Sequence, residues 1–387
     1  MKKSTVLLAA ALSMTAPLAY AAEQGISGSE VVFSQVAALD GPAAALGLGM
    51  QEGITAAFEE ANRAGGVNGR MLRLESVDDG YEPDRSAQHV KSIIKANASL
   101  GFIGPVGTPT TKATQPIATG ANYPFIGPFT GAGFLRNAEL GNIFNVRATY
   151  AAETEEWIKY LVDEQGVKNI ALLYQDDGFG RVGLNGVNAA LERRGMSLAA
   201  TGTYTRNTTA VKSALLAIRK AKPDAVVMVG AYKPIAEFIK LSHKLRFKPV
   251  FVNISFVGSK ALAGELGNVG EGVIVSQVVP FPWNTSNQVV AQYQAALKAV
   301  NRDAEPGFVS LEGYIVGRLA IKALQDAGQD LTREGFLAAL NALRTVDLDG
   351  VVMEFGEGDN QGMDNVFLTR IRADGQFEPV ADRPGTS

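Results

Sequence analysis

Short apolar runs alternate with segments of helical spacing along most of the chain, and this alternation constrains the fold more than any other feature. Four such runs in the first third have the length and apolar character of buried parallel strands: 31–36, 71–77, 100–103 and 123–127. Between these runs, the apolar residues have the spacing of amphipathic helices. A β-α-β-α order of this kind is typical of a doubly wound parallel sheet.

The alternation restarts near residue 147 and continues to residue 253, with predicted strands at 169–174, 197–204, 225–229 and 250–253. Two consecutive units of similar size predict two lobes. After residue 272 the chain leaves one sheet, and three long helices and two further strands complete it. The sequence therefore predicts an α/β fold with two doubly wound parallel-sheet lobes.

Composition excludes several classes of partner and chemistry. The 387 residues are 46% hydrophobic, which is enough to build sizeable cores. The net charge of −3, without a basic block, makes nucleic acid an unexpected partner. The chain has no cysteine, so a disulfide framework, thiol chemistry and a lipid-bearing Cys are all excluded.

The N-terminus has the pattern of a secretory signal peptide. Lys2 and Lys3 precede an apolar run at 6–12, and Ala19-Tyr20-Ala21 is a small-x-small cleavage site. A membrane anchor is the alternative, but about ten apolar residues are too few to span a bilayer. The sequence predicts a signal peptide over 1–22 and export to a bacterial periplasm.

The stretch from Leu100 to Ala118 predicts an anion site. A short strand is broken by glycines, and Thr108-Pro109-Thr110 opens a helix with a Thr cap and Pro in the first turn. Because a helix start presents unpaired N–H groups and partial positive charge, it suits a carboxylate. The next strand ends in a second such loop at 128–133, and neighbouring strand-end loops are where ligands bind in open α/β sheets. An ordinary βα turn is the alternative.

No motif predicts catalysis or a cofactor. The segment 178–183 is a literal G-x-G-x-x-G, but no acid for a ribose follows at the required distance. The acidic pairs at 78–79 and 176–177 read more simply as turn and helix-cap residues than as metal or acid–base groups. Neither His89 nor His243 has a matching triad motif. The residues alone favour a binding protein without cofactor or metal.

Several motifs resemble those of one protein family. The signal peptide, Asp40-Gly41-Pro42, the segment at 57–69 (Ala-Phe-Glu-Glu-Ala-Asn-Arg-Ala-Gly-Gly-Val-Asn-Gly) and Asp78-Asp79-Gly80-Tyr81 are similar to those of leucine/isoleucine/valine-binding proteins. These are type I periplasmic substrate-binding proteins of ABC importers. The resemblance implies two lobes joined by three crossovers, near Arg147, Ser276 and Val346. The implied domains are 23–146 plus 277–346 (lobe 1) and 147–276 plus 347–387 (lobe 2).

The resemblance also implies positions for ligand-binding residues. In lobe 1 the resemblance implies that Leu46 lies on the pocket rim. It also implies that Thr108 and a loop bind the ligand carboxylate; the loop residues are Phe129, Thr130 and Gly131. In lobe 2 the implied ligand-binding residues are Phe179 and Tyr232. The family's acidic partner of the ligand ammonium falls near Ser255, where 253–256 (Asn-Ile-Ser-Phe) offers no carboxylate. Either Glu312 supplies that acid or the ligand has no amine. Tyr150 lines the cleft or packs the hinge.

The function expected from the sequence is transport by binding. A monomeric periplasmic protein closes over a small carboxylate-bearing ligand, an amino acid or analogue, and delivers it to a membrane-embedded ABC permease. An aromatic or aliphatic carboxylate without an amine is the alternative ligand. An extracellular sensor domain and a secreted α/β enzyme are the alternatives from other classes.

Overall fold

The first part of the alternating pattern folds into a five-stranded parallel sheet. The computed structural model describes residues 25–137 and 139–380. Its sheet order is β2-β1-β3-β4-β5, with every neighbouring pair parallel. The elements are β1 (Glu30–Ala37), α1 (Ala44–Arg63), β2 (Met71–Asp78), α2 (Pro83–Ala96), β3 (Phe102–Ile103), α3 (Thr108–Gly120), β4 (Phe125–Ile126) and β5 (Ile143–Phe144).

The second part forms a seven-stranded sheet. The elements along the chain are α4 (Tyr150–Ile158), β6 (Ile170–Gln175), α5 (Gly178–Glu192), β7 (Ala200–Tyr204), α6 (Lys212–Lys220), β8 (Ala225–Val229), α7 (Tyr232–Lys244), β9 (Val250–Asn253), α8 (Ser259–Leu266) and β10 (Ile274–Gln277). A π-helical turn, Lys159–Glu164, extends α4. The predicted α/β class with parallel-sheet lobes is confirmed.

The end of the chain adds helices to the first sheet and strands to the second. The remaining elements are α9 (Gln288–Val300), α10 (Phe308–Ala327), α11 (Arg333–Ala342), β11 (Thr345–Asp347), β12 (Val352–Glu354), β13 (Phe367–Ile371) and β14 (Phe377–Pro379). The helices α9 and α10 pack on α1, and α11 packs on α10. We call the first sheet with α1–α3 and α9–α11 lobe 1, and the second sheet with α4–α8 lobe 2.

The sheet of lobe 2 is not parallel throughout, which differs from the prediction. Its order is β14-β13-β10-β9-β8-β6-β7, and β13 runs antiparallel to both β10 and β14. The pair β13–β14 is antiparallel because a short turn joins its strands, in which the Arg372 amide donates to the Gln376 carbonyl. One of the two strands predicted for the end of the chain lies outside both sheets, since β12 pairs with β11 in a separate two-stranded ribbon.

The chain passes between the sheets after β5, after β10 and after β12. The first and third connections run side by side: the Asn145 amide donates to the Asn360 carbonyl at 2.8 Å, and the Gly362 amide donates to the Asn145 carbonyl at 2.8 Å. The predicted domain boundaries, drawn from the family resemblance, remain predictions.

Helices α1 and α10 pack against each other at very short distance. A Cβ on Gly53 of α1 would lie 1.9 Å from the carbonyl oxygen of Ser310 on α10, so the helices can only meet this closely with glycine at that position. Two residues later α10 carries Glu312, which is buried. Packing of α1 on α10 therefore places a carboxylate in the interior.

The predicted signal peptide lies outside the described residues. Over 25–137 and 139–380, every helix is too short or too polar to cross a bilayer.

Candidate functional site

The predicted anion-binding loop is buried, and its cap differs from the prediction. Gly107, with φ of 102°, occupies the N-cap of α3, and Thr108 is the first helical residue. A glycine is required because a Cβ at position 107 would lie 2.2 Å from the ring of Tyr81. The Thr108 hydroxyl is therefore not used as a cap. Its Oγ1 lies 2.7 Å from Oγ1 of Thr130, in the loop after β4.

Five buried rings meet where the lobes touch. We call them the aromatic cluster: Tyr81 and Phe129 of lobe 1, and Tyr150, Phe179 and Phe256 of lobe 2. The Phe256 ring centroid lies 4.7 Å from that of Phe179, 5.4 Å from Phe129 and 6.0 Å from Tyr81. These separations are those of favourable aromatic pairs. Phe256 thus links the aromatic surfaces of the two lobes.

A fully buried arginine lies against these rings. The guanidinium carbon of Arg147 is 4.7 Å from the ring centroid of Phe129 and 5.9 Å from that of Tyr150. Its Nη2 donates to Oγ of Ser255. Its Nε and Nη1 make no hydrogen bond although both are buried. Arginine presents five N–H donors, so part of this group's donor capacity is unused.

Glu153 of α4 is held by several donors at once. Its carboxylate accepts from the Ser255 amide at 2.8 Å, from Oγ of Ser255 at 2.8 Å and from Oγ of Ser276. Nη2 of Arg147 also lies 3.8 Å from Oε1 of Glu153. A carboxylate therefore does lie beside Ser255, but it comes from α4 and its oxygens already accept hydrogen bonds from Ser255 and Ser276.

Glu312 reaches Arg147 from the opposite lobe. Its Oε1 is 3.5 Å from Nε of Arg147, and its side chain is 3% exposed. Burial raises the pKa of Glu312 to about 7; the nearby Arg147 opposes this rise, and Glu153 adds to it. We call Arg147, Glu153 and Glu312 the charged cluster.

Arg136 adds a second, half-buried cation behind the loop after β4. Its guanidinium donates to the carbonyls of Thr130 and Ala132 and to that of Arg147, each at 3.0 Å. These bonds fix the loop that carries Phe129 and Thr130 to the start of the first connection between lobes.

The structure brings eight of the ten predicted site residues to this region. They are Thr108, Phe129, Thr130, Gly131, Tyr150, Phe179, Ser255 and Glu312, all of which are buried or contact buried members of the two clusters. Gly131 contributes its carbonyl, which accepts from the Tyr150 amide at 2.8 Å. The hydroxyl of Tyr150 faces Thr130 without a hydrogen bond of normal geometry. Their roles toward a ligand remain predictions.

The other two residues lie farther along the contact between lobes. The Tyr232 hydroxyl accepts from the Ala45 amide at 3.4 Å, and Leu46 packs against Gly258. Both are buried, and both join the first turn of α1 to lobe 2. Within the part of the chain that the structure describes, the Tyr232 ring makes no ring contact with the aromatic cluster. The position of Tyr232 therefore favours a role in lobe closure over a role in the pocket wall.

Sequence reasoning did not assign the three residues that complete the site: Arg147, Glu153 and Tyr81. Arg147 was marked only as a crossover, although a lone arginine in the apolar run Ile-Phe-Asn-Val-Arg-Ala is a detectable signal. Tyr81 lies in the motif Asp78-Asp79-Gly80-Tyr81 that carries the family resemblance, but the motif gives it no role in the site. Glu153 carries no such signal, because tertiary packing brings it in from a helix whose local pattern is ordinary.

The acidic pairs act as turn and cap residues, as predicted. Asp78 accepts from the amides of Leu39, Asp40 and Gly80, and Asp177 caps α5 through the Phe179 amide. The G-x-G-x-x-G segment also has a packing explanation, since a Cβ on Gly180 would lie 1.9 Å from the Gln175 carbonyl oxygen.

Polar contacts enclose the site at the lobe edges. Nη2 of Arg206 in lobe 2 lies 2.8 Å from Oε2 of Glu82 in lobe 1, and Nδ2 of Asn207 donates to Oε1 of Glu82 at 2.7 Å. Asn207 also donates to the Gly80 carbonyl at 3.0 Å. The lobes are therefore closed over the aromatic and charged clusters.

Comparison with known proteins agrees with this architecture. Residues 30–376 match the family model described as periplasmic binding protein. A relative from Brucella suis, named Leu/Ile/Val-binding protein homolog 7, is 23% identical over 365 residues, covering 90% of this chain and 88% of the relative. The leucine-, isoleucine-, valine-, threonine- and alanine-binding protein of Pseudomonas aeruginosa is 22% identical, covering 85% of this chain and 87% of that protein.

A solved structure gives a closer match. It is described as a possible leucine/isoleucine/valine-binding protein from Rhodopirellula baltica, with 36% identity, a TM-score of 0.87 and coverage of 92% of this chain and 97% of that chain. The resemblance found in the sequence motifs is thereby confirmed. Because the family model spans most of its length, this chain belongs to the periplasmic binding protein family.

Proposed function

We propose that this chain is an exported solute-binding protein that delivers a small carboxylate-bearing molecule, of amino-acid size, to an ABC permease. It acts by binding and not by turnover. The observation that carries the proposal is the buried Thr108–Thr130 hydroxyl pair at the start of α3, placed where two lobes close. A helix start and a hydroxyl together favour an anionic group.

The mechanism follows from which lobe carries which group. Lobe 1 supplies the start of α3 and both threonines, so it binds the anionic end of the ligand first. Lobe 2 then adds Phe256, whose contacts with Phe129 and Tyr81 of lobe 1 exist only when the lobes meet, and Phe179, which packs against Phe256. Ligand contacts of both lobes favour the closed state, because a ligand shifts a conformational equilibrium by its differential affinity for the two states.

The names of the relatives support a small amino-acid-like ligand. The Pseudomonas aeruginosa relative is named for binding leucine, isoleucine, valine, threonine and alanine. Such molecules share a carboxylate on a small apolar body. The aromatic cluster offers the apolar surroundings, and the Thr108–Thr130 pair offers donors for the carboxylate.

Native mass spectrometry of the purified mature protein tests the proposal. We expect a bound small molecule carrying a carboxylate, released unchanged when the protein is unfolded. Small-angle scattering should then show a smaller radius of gyration with that molecule than without it. Chemical conversion of the bound molecule, or a ligand without an anionic group, would contradict the proposal.

A further inference from the structure

We infer that Arg147 is the charged group that receives the ligand carboxylate, in addition to the Thr108–Thr130 hydroxyls, and that the preferred ligand is an aromatic carboxylate without an α-amine. The inference rests on the proposed function, since it names the class of solute bound at the same site. It starts from Arg147, whose side chain is 1% exposed, whose Nη1 has no hydrogen-bond acceptor and whose Nε is paired with Glu312 at 3.5 Å without forming a hydrogen bond.

Unused donors on a buried cation call for an acceptor. Most buried polar groups in proteins are hydrogen-bonded, and a bare buried donor destabilises the fold. The Arg147 side chain cannot easily turn away, because Nη2 is bonded to Ser255 and the guanidinium lies on the ring of Phe129. A carboxylate entering between the lobes would accept from Nη1 in a charge-assisted hydrogen bond, which is stronger than a neutral one.

The carboxylates of the site are not arranged to receive an ammonium. Glu153 already accepts three hydrogen bonds, two from Ser255 and one from Ser276. Glu312 is the other candidate, but its Oε1 is 3.5 Å from Nε of Arg147. An ammonium bound there would lie beside a guanidinium in a buried setting, where like charges repel strongly.

The charge balance favours an anion over a zwitterion. The charged groups that face Glu312 are Arg147, Glu153 and Arg136. Burial raises the pKa of Glu312 to about 7, so this carboxyl accepts a proton when an anion binds nearby. Arg147 and Arg136 then face the one charged carboxylate inside the site, that of Glu153, since Asp364, the other acid near Arg136, is exposed to solvent. A monoanionic ligand neutralises the excess positive charge. A zwitterionic amino acid leaves that excess in place.

The aromatic cluster selects the rest of the ligand. Phe256 of lobe 2 faces Phe129 and Tyr81 of lobe 1 across the contact between lobes, with centroid distances of 5.4 and 6.0 Å. A flat ring that enters as the lobes part would replace each ring–ring contact by two ring–ligand contacts. Ring stacking has no equivalent for a branched aliphatic side chain, so the cluster favours an aryl acid.

Matched pairs of ligands test the inference. The full mature protein is unfolded in guanidinium and refolded to remove any carried molecule. Calorimetry then compares 3-phenylpropanoate with L-phenylalanine, 4-methylpentanoate with L-leucine, and 3-phenylpropanoate with its neutral amide. We expect 3-phenylpropanoate to bind at least 100-fold more tightly than L-phenylalanine or the amide, and more tightly than 4-methylpentanoate.

Variants separate the roles of charge and ring. Arg147→Lys should weaken the binding of 3-phenylpropanoate by about ten- to a hundredfold. Lysine keeps the positive charge but lacks the planar set of N–H donors that arginine has. Arg181→Lys is the matched control, because Arg181 pairs with Asp176 on the exposed surface. If Arg147→Lys does not fold, Phe256→Leu should reduce the preference for 3-phenylpropanoate over 4-methylpentanoate.

The outcomes distinguish this inference from the proposed function. Equal or tighter binding of the amino acids would overturn the inference and leave a carboxylate-binding transport protein. Tight binding of 3-phenylpropanoate that is unchanged in Arg147→Lys would overturn the role of Arg147. Binding by none of the carboxylates, with a neutral or cationic solute found by native mass spectrometry, would overturn the proposed function itself.

Discussion

Nε of Arg147 lies 3.5 Å from Oε1 of Glu312, and this ion pair joins the first connection between the lobes to helix α10 of lobe 1. Both side chains are buried. A buried ion pair loses hydration that its attraction only partly replaces, so it is weak evidence for stability by itself. Its significance here is that the pair lies at the candidate site and that the pKa of Glu312 is raised to about 7.

The raised pKa of Glu312 predicts a pH-dependent contribution to stability. Burial raises this pKa from 4.5 to about 7 in the folded protein. The folded state therefore holds the proton more tightly than the unfolded chain. The stabilising contribution is complete below about pH 4.5 and is lost as the pH rises through about 7. Glu312→Gln cannot titrate, so the variant lacks this loss.

Urea unfolding at pH 5, 6, 7 and 8 measures the effect. The free energy of unfolding of Glu312→Gln, minus that of the wild type, should become more positive as the pH rises from 5 to 8. At any one pH, the difference in the free energy of unfolding also includes the loss of a charged partner for Arg147. The test is therefore how this difference changes with pH. A difference that stays constant, or that falls with pH, would contradict the prediction.

Thr108→Val should weaken ligand binding by about ten- to a hundredfold. The substitution keeps the shape and removes a hydroxyl that, next to a helix start, is worth roughly 1.5–3 kcal/mol toward a charged group. Calorimetry with the molecule that native mass spectrometry finds in the purified protein gives the affinity. Thr111→Val is the matched control, because the Thr111 hydroxyl is buried in the same helix without a hydrogen-bond partner.

Unchanged affinity in Thr108→Val would show that the Thr108 hydroxyl does not bind the carboxylate and would leave Arg147 as its main partner. Thr130 would be the next residue to test, since its hydroxyl is the partner of Thr108. An equal loss in Thr111→Val would point to a general effect on α3 instead of a lost contact.

Local sequence patterns were enough to predict the lobes. Apolar runs of four to eight residues separated by helical spacing determine strands and helices over short windows, and parallel pairing follows from the crossovers. The strands predicted at 225–229 and 250–253 have the bounds of β8 and β9 in the structure. The antiparallel strand β13 was not assigned its direction, because the direction depends on how the chain returns from lobe 1.

The candidate site was only partly predictable for the same reason. Thr108, Thr130 and Phe129 follow strands directly, so their position at the sheet edge is a local property. Glu153 reaches Ser255 across 102 positions of sequence, and Arg147 reaches Glu312 across 165. No short window contains these relationships. The absence of an acid at position 255 was therefore visible in the sequence, but the contact of Glu153 with Ser255 was not.

Gly53→Ala should destabilise the protein, because the added methyl carbon would lie 1.9 Å from the Ser310 carbonyl oxygen. Overpacking of this kind costs about 1–3 kcal/mol, or more where backbone must move. Gly264→Ala is the control, since Gly264 lies in helix α8 and no atom lies within 4 Å of a Cβ added there. That substitution should stabilise by about 0.5–1 kcal/mol. Chemical unfolding measures both, and similar effects of the two changes would contradict the packing argument.

Glu82→Ala should shift the protein toward the open arrangement of the lobes. Glu82 is the lobe 1 partner of both Arg206 and Asn207, and these contacts exist only when the lobes are together. The Glu82 side chain is 43% exposed, so its contacts are screened by solvent and a modest effect is expected. Affinity should fall about two- to tenfold, mainly through faster ligand dissociation, since the first binding step uses lobe 1 alone.

Stopped-flow kinetics and small-angle scattering together test this expectation. The dissociation rate should rise while the association rate changes little, and the radius of gyration of the ligand-free variant should exceed that of the wild type. Glu155→Ala provides the comparison, because Glu155 forms ion pairs with Arg193 and Arg194 within lobe 2. Its loss removes surface charge without touching lobe 1, so neither rate should change. If the two variants behave alike, the contacts of Glu82 with lobe 2 do not hold the lobes together, and closure must depend on the aromatic and charged clusters alone.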